Sequence, residues 1–568
     1  MIKEELDKKR NLFFTPLIII VCLVILGLLS FTSYALITQG NFGALFGGKG
    51  TISDRPVPPS NRETIIITKH NKDDVVIQSG YNYVFQGEEK WGTEKHPIDL
   101  NSINLIKGAQ DEPLDAYIDG GNNYFKYNLI SQEASSGLLG VFSGAIVDFN
   151  IYKGNGGNHP KAAVFASVLT SQGVIYNCSN FLDVSSYGKD EFSAGFVENL
   201  EGTIIKSVNY GDITANGYAS GFANIVKGKI YNCKNSGKIE SKDSKAAGIA
   251  NEVLGTIKNA QNLGKIDANN GAAGIAIKVI GGELADCVNG SSQINVQIYA
   301  SSAQSVGIVY KVESVEIDGK TQKGIISKCV NYADIDGHEA FGIAYRVQGD
   351  VTDSKNYGLI TSYKSCAGIA DYIEGNLNNT QNHGAITGDN EKASGLVHKI
   401  KGNIIGCQNN GDVKTASGHA SGIAFEFNGY IINSKNLGQV RKTSWDINKY
   451  AAGLVSVGYG QIINCQNQGQ IIIDNLASYV GGIAAIMSGQ IINTQSSGKI
   501  IQNNMYQPIT VGGIAAVLNN ENSPLIEDCV FSGGFDIKSI QARKHYIAYE
   551  YTTGTIKNCV GMGEEFNL

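Results

Sequence analysis

The sequence predicts an all-β fold, a right-handed parallel β-helix (solenoid) of about 14–15 coils, and three observations carry that reading. A ten-residue phrase recurs, most often every 25 to 27 residues. Within it, apolar or small residues alternate with polar ones. Glycine is abundant (69 residues) and proline scarce (9), which suits many short strands joined by tight corners.

The phrase reads Ile230-Tyr231-Asn232-Cys233-Lys234-Asn235-Ser236-Gly237-Lys238-Ile239, and it returns at Ile404–Val413 and Ile462–Ile471. Aligned on its cysteine, the same position holds Cys178, Ser207, Cys233, Ala260, Cys287, Cys329, Ser354, Thr380, Cys407, Ser434, Cys465, Thr494, Cys529 and Cys559. Between these phrases lies a second one, seen in Ala247-Gly248-Ile249-Ala250 and Ser421-Gly422-Ile423-Ala424. A coil of this length cannot bury its apolar residues alone, but stacked coils share one interior. Period two puts Cys233, Asn235, Gly237 and Ile239 inward, with Lys234, Ser236, Lys238 and Glu240 in water. Asn232 is out of phase and belongs at a corner, where asparagine tolerates a left-handed backbone.

Two residues after the cysteine position stands Asn180, Asn209, Asn235, Asn262, Asn289, Asn331, Asn356, Asn382, Asn409, Asn436 or Asn467. Stacked amides can hydrogen-bond from coil to coil, so this row is expected to be a structural ladder. The glycine two residues further on is expected to permit a tight turn.

The N-terminus predicts an address. Residues 17–38 are uncharged and mostly apolar, long enough to cross a bilayer as one helix. Lys3, Lys8, Lys9 and Arg10 precede the run, and only Lys49 and Arg55 follow closely. That bias keeps residues 1–16 in the cytoplasm and exports the rest. The expected organisation is a single-pass membrane protein: a cytoplasmic segment 1–16, a membrane helix 17–38, a tether 39–62, an N-terminal capping β region 63–114 and the repeat domain 115–568. Cleavage near Ala35, giving a secreted chain, is the alternative, since Ser33 and Ala35 are small.

The sequence resembles the GLUG-repeat family of bacterial surface and secreted proteins. Tyr117-Ile118-Asp119-Gly120-Gly121-Asn122, followed by Ser136-Gly137-Leu138-Leu139-Gly140-Val141-Phe142-Ser143-Gly144-Ala145-Ile146, is similar to the family's "DGN…GLFG…G-x-I" phrase. Later Ala-Gly-Ile-Ala phrases are a looser version, with Ala or Val where the second glycine belongs. The resemblance spans roughly residues 115 to 560; it implies a β-helix and an extracellular address, and no activity.

Little points to catalysis. Of ten cysteines, Cys22 falls in the membrane segment, eight share their position with Ser, Ala or Thr, and Cys366 precedes a glycine phrase. Such interchange marks a small buried side chain, so free thiols are expected; Cys287 with Cys329 and Cys529 with Cys559 are the pairs close enough to bridge. His338-Glu339 lacks the second histidine of a zinc peptidase, and Gly319-Lys320-Thr321 lacks the leading glycine of a phosphate loop. No cofactor or metal is expected. The net charge of −6 and the absence of a basic stripe argue against nucleic acid.

Binding is expected on the variable loops, such as Thr214–Ser220, Ser241–Ala246, Thr361–Cys366 and Arg441–Tyr450, which a solenoid aligns on one edge. The last concentrates Arg441, Lys442, Trp445 and Tyr450, outside the inward positions. The expectation is a surface structural or interaction protein, adhesin-like, that binds a glycan or a partner protein. The alternatives are a β-helical polysaccharide lyase or glycoside hydrolase, and a subunit of a larger surface assembly.

Overall fold

A computed structural model describes residues 55–86, 92–127, 137–153, 163–188, 191–443, 449–505, 508–519, 523–551 and 554–566. The chain divides at Pro56; Val57–Leu568 is one compact unit. The expected cytoplasmic segment 1–16, the membrane helix 17–38, residues 39–54 of the tether and Trp445 lie outside the described residues. No helix among the described residues is long and apolar enough to cross a membrane.

Val57–Leu568 is an all-β parallel solenoid of about 16 turns. One turn shows how the sequence makes it. Lys229–Tyr231 lies in the first sheet and Lys234–Asn235 in the second. Ile239–Ser241 and Ala246–Ala247 are two segments of the third sheet, and Ala250–Val253 lies in the fourth. Thr256–Lys258 then returns to the first sheet, directly over Lys229–Tyr231, in parallel register. Ile204, Ile230, Ile257 and Leu284 thus form one inward column. Each such side chain contributes roughly 1.5–3 kcal/mol of burial, but only because a neighbouring coil covers it.

The corners are set by side-chain chemistry. Asn232 has φ 56°, as expected, and Asn177, Asn259, Asp286, Asp353, Asn379 and Asn433 repeat the left-handed conformation at the equivalent corner of other coils. Several also bond along the stack, as Asn259 Nδ2 does to Asn232 Oδ1 at 2.6 Å.

The glycines differ from the expectation. Gly411, which follows Asn409 by two, does not have a left-handed φ. A Cβ there would lie 1.9 Å from the carbonyl oxygen of Gly384, one coil before. The second phrase behaves alike: a Cβ on Gly342 would lie 1.9 Å from the Gly368 oxygen. Glycine is therefore required by the closeness of successive backbones, not by turn geometry.

Residues 63–114, expected to cap the stack, are themselves stacked. Thr64–Ile67 pairs in parallel with Asn82–Phe85, which pairs with Tyr117–Asp119 of the first sheet. These coils lack the cysteine phrase, which is why a count of phrases falls short of the number of turns. The end is closed by Leu100 and Ile103, around the only described helical turn, Leu100–Ser102, with Phe85, Phe125 and Phe149 packed beneath. The last residues of the expected tether are fixed: Arg62 forks onto Asp115 at 2.6 and 3.0 Å, and Asn82 Nδ2 donates to the Pro59 carbonyl at 2.9 Å.

The far end shows how the stack stops. Where the preceding coils have the glycine of the second phrase, the last has Tyr546, one residue past the Gly512–His545 pair. Among the described residues no coil stacks beyond Tyr546, whose side chain occupies that space. Its ring lies parallel to Phe535, with centroids 5.5 Å apart. A terminal hairpin, Cys559–Gly561 with Glu564–Phe566, brings Phe566 onto the same core.

Candidate binding face

The interior must be accounted for before a surface can be assigned. All eleven ladder asparagines are buried. From Asn180 to Asn467, each Nδ2 donates to the Oδ1 of the next coil's asparagine at 2.7–2.9 Å. The second amide hydrogen usually goes to the carbonyl two residues on, as from Asn356 to Gly358 at 3.1 Å. Both donors are consumed, so the row that includes Asn209, Asn235, Asn262, Asn382, Asn409 and Asn436 is structural.

The nine described cysteines are buried free thiols. The site is more specific than a small cavity. Ser207 Oγ accepts the Cys178 N–H at 3.1 Å and donates to the Ile205 carbonyl at 3.0 Å. Cys465 makes the equivalent donation to Ile463 at 3.2 Å. The position thus suits a short side chain, and Cys, Ser and Thr there also donate to the carbonyl two residues before, while Ala260 fills the space alone. Burial pushes the thiols of Cys233, Cys407 and Cys465 up to about 12.

On the outside, the variable loops do fall on one edge, between the two segments of the third sheet. They are stacked and bonded to each other. Asn216 Nδ2 donates to the Tyr187 carbonyl (2.6 Å), Asn270 to Asp243 (2.6 Å), Asn390 to Tyr363 (2.9 Å) and Asn475 to Thr443 (2.6 Å). This scaffold presents Tyr187 and Tyr363 at 66% and 64% exposure. Lys242 Nζ lies 5.2 Å from the Tyr187 ring centroid.

The residues singled out at Arg441–Tyr450 separate. Arg441 points outward, but its fork is taken by Asp474 at 2.8 and 3.2 Å. Lys442 is not on the loop surface: Val440–Lys442 is a strand, its phase carries Lys442 inward, and it is wholly buried in the column that holds Thr415 and Ile473. Trp445 lies outside the described residues. Tyr450 is half-buried on the outer face, with ring centroids 4.8 Å from His419 and 5.8 Å from Tyr479. His419 Nδ1 accepts the Tyr450 N–H at 3.1 Å, which requires a neutral ring. Burial, then the charges of Lys449, Lys392 and Lys442, push its pKa down to about 4.

A wall beside this ridge is not legible in the sequence. In the corner between the third and fourth sheets, Ala247, Ala273, Val306, Phe341 and Ala367 form a small apolar core outside the main one, covered by Ile277, Tyr310 and Tyr345. The residue directly after a Gly-Ile-Ala phrase or its variant supplies this cover in several coils: Ile277, Tyr310 and Tyr345, with the His398 ring edge-on to Phe341 at 5.6 Å. That position is readable as an outward residue on a sheet, but its convergence with the neighbouring sheet is not. Here Tyr310 donates to Gln304 at 2.6 Å, Lys364 reaches Glu391 at 3.3 Å, and Lys392 lies 4.6 Å from the Phe425 centroid.

On the second sheet, Tyr332, Tyr357 and His383 stack at 5.0 and 4.5 Å. Their ring faces cover one another, leaving edges to solvent. Among the described residues, no three His, Cys, Asp or Glu side chains gather as a metal site.

No family model, curated protein or solved structure matches the chain.

Proposed function

We propose that this chain is a surface interaction protein, adhesin-like, whose solenoid displays an ordered ridge that binds a glycan or a partner protein. One observation carries the reading: the variable loops form a hydrogen-bonded strip that holds Tyr187 and Tyr363 out in solvent. Tyrosine gives large contact area for little lost entropy and recurs in binding hot spots. In this reading the winding is right-handed, as parallel crossovers are, residues 17–38 anchor the chain with the solenoid outside, and the kinship is with GLUG-repeat proteins. The anchor rests on the apolar run and its flanking charges, and the kinship on the Tyr117–Ile146 phrase.

A lyase or hydrolase gains support from the acidic and basic groups gathered on adjacent coils in the corner. Those carboxylates are engaged, however: Asp371 by His398 at 3.0 Å, Glu391 by Lys364 at 3.3 Å and Glu426 by Lys399 at 2.5 Å. The test is attachment of the purified protein to a glycan array and to cell surfaces. Tyr187→Ala with Tyr363→Ala should weaken attachment with the melting temperature unchanged; unaltered attachment rejects the ridge. Release of unsaturated or reducing sugar from any arrayed polysaccharide would favour the enzyme.

A further inference from the structure

Three long cations stack in register on the outer face of the fourth sheet: Lys278 faces Lys311, and Lys311 faces Arg346. Tyr372 takes the next rung and Lys399 the one after. At about 4.8 Å per rung the column is roughly 19 Å long. Like charges directly opposite one another on neighbouring strands repel, so this arrangement calls for negative charge.

The chain supplies some of it. Glu252 takes the rung before Lys278 and Glu426 the rung after Lys399, which it reaches at 2.5 Å, while Glu313 reaches Lys278 at 2.7 Å and Lys311 at 2.5 Å. Arg346 differs. Its Nε lies 3.9 Å from Asp371 Oδ2, beyond hydrogen-bond reach. Asp371 is committed elsewhere, since its Oδ1 is 3.0 Å from Nδ1 of the buried His398. The other ring nitrogen meets the Cys366 carbonyl at 2.8 Å. The Arg346 guanidinium lies over the Tyr345 ring, 4.9 Å from its centroid, and is 53% exposed. A stacked guanidinium holds its planar fork in one orientation, suited to gripping an oxyanion with two parallel bonds.

We propose that this face binds a linear polyanionic glycan, with Arg346 holding one carboxylate or sulfate, and with Lys311 and Lys399 turning the ammonium donors left over beside Glu313 and Glu426 toward those of neighbouring sugars. Tyr372 fills the rung between them as a flat contact. A single file of cations with an aromatic between them fits an extended chain carrying charge at intervals. The site lies on a different sheet from the tyrosine ridge, and the inference rests on the binding-protein reading above.

The test measures binding of the full chain to immobilised polygalacturonate, a sulfated glycan and an uncharged β-glucan, with single-stranded DNA as competitor. Binding to the charged glycans should fall steeply with salt. Arg346→Gln with Lys311→Gln and Lys399→Gln should weaken it at least about tenfold, the order expected for losing charge-assisted contacts. The melting temperature should hold, since Arg346 and Lys399 are exposed and Lys311 is half-buried with its Glu313 partner still held by Lys278. Arg346→Lys, which keeps the charge and loses the fork, should fall between. Equal binding by the triple variant overturns the proposal, as does DNA competing as well as the glycan itself. If polyanion binding is lost with Tyr187→Ala and Tyr363→Ala but not with the column variants, the column fails while the binding-protein reading stands.

Discussion

The side-chain amide of Asn356 donates to Asn382 at 2.8 Å and receives the same bond from Asn331 at 2.8 Å, with all three residues wholly buried. Asn356→Ala leaves a donor on one neighbour and an acceptor on the other without partners. An unsatisfied buried polar group costs about 1–3 kcal/mol, so the loss should be about 2–5 kcal/mol. Asn180 stands at the start of the ladder and makes one such bond, but its Oδ1 accepts the buried Leu182 N–H at 2.9 Å instead, so Asn180→Ala should cost about as much. Urea unfolding of both variants checks this; a loss well below about 1 kcal/mol in either would mean that the buried amide bonds are not the source.

Close approach of successive backbones gives a second expectation. Gly342→Ala brings a Cβ within 1.9 Å of the Gly368 oxygen and must force the two coils away from each other. It should abolish soluble expression or, for a unit this large, lower the melting temperature by at least about three degrees, the shift expected from a cost above about 3 kcal/mol. Tyr546→Ala, at the equivalent place in the last coil, should be tolerated structurally and only loosen the end.

The thiols give a third. With burial holding Cys233, Cys407 and Cys465 up to about 12, they should stay silent toward a thiol reagent in the native protein even at mildly alkaline pH. All should react after denaturation. Cys233→Ser should cost little, because Ser207 and Ser434 already fill this position; Cys233→Phe should overpack it by about 1–3 kcal/mol.

His419 gives a pH dependence. Its folded pKa, about 4, lies below the ordinary 6.5, so the unfolded chain binds the proton more tightly. The stability this group contributes is present above pH 6.5 and is lost as pH falls from there toward 4. At about 1.36 kcal/mol per unit the loss is of order 3 kcal/mol. His383 and His545, also depressed by burial, act in the same direction. Denaturant melts across that window should therefore show a shallower slope for His419→Asn than for the parent. Parallel slopes would remove His419 as the cause.

Much of this architecture was legible because it repeats. The inward phase of Cys233, Asn235 and Ile239, the ladder and the left-handed corner at Asn232 each follow from one coil read against its neighbours. What repetition hides is distance between coils. The glycines look like turn residues until Gly411 is seen against the Gly384 carbonyl. Lys442 looks like a loop residue until strand Val440–Lys442 carries its alternation one step further. The corner wall is invisible for a related reason: Tyr310, Tyr345 and His398 are ordinary outward positions on one sheet, and only the angle between two sheets turns them into the cover of a second core. The coils at Thr64–Phe85 lack the phrase altogether and join the same sheets by backbone pairing.

Tyr546 has a consequence for how long such a molecule can be. Interior coils offer their neighbours the same glycine contacts, so a coil added or removed between two others meets matching surfaces on both sides. The last coil offers a bulky ring instead, and nothing can be appended beyond it without first exchanging that residue for glycine. Length is therefore adjustable in the middle and fixed at the tip, and a chain shortened by whole interior turns should keep both of its ends intact.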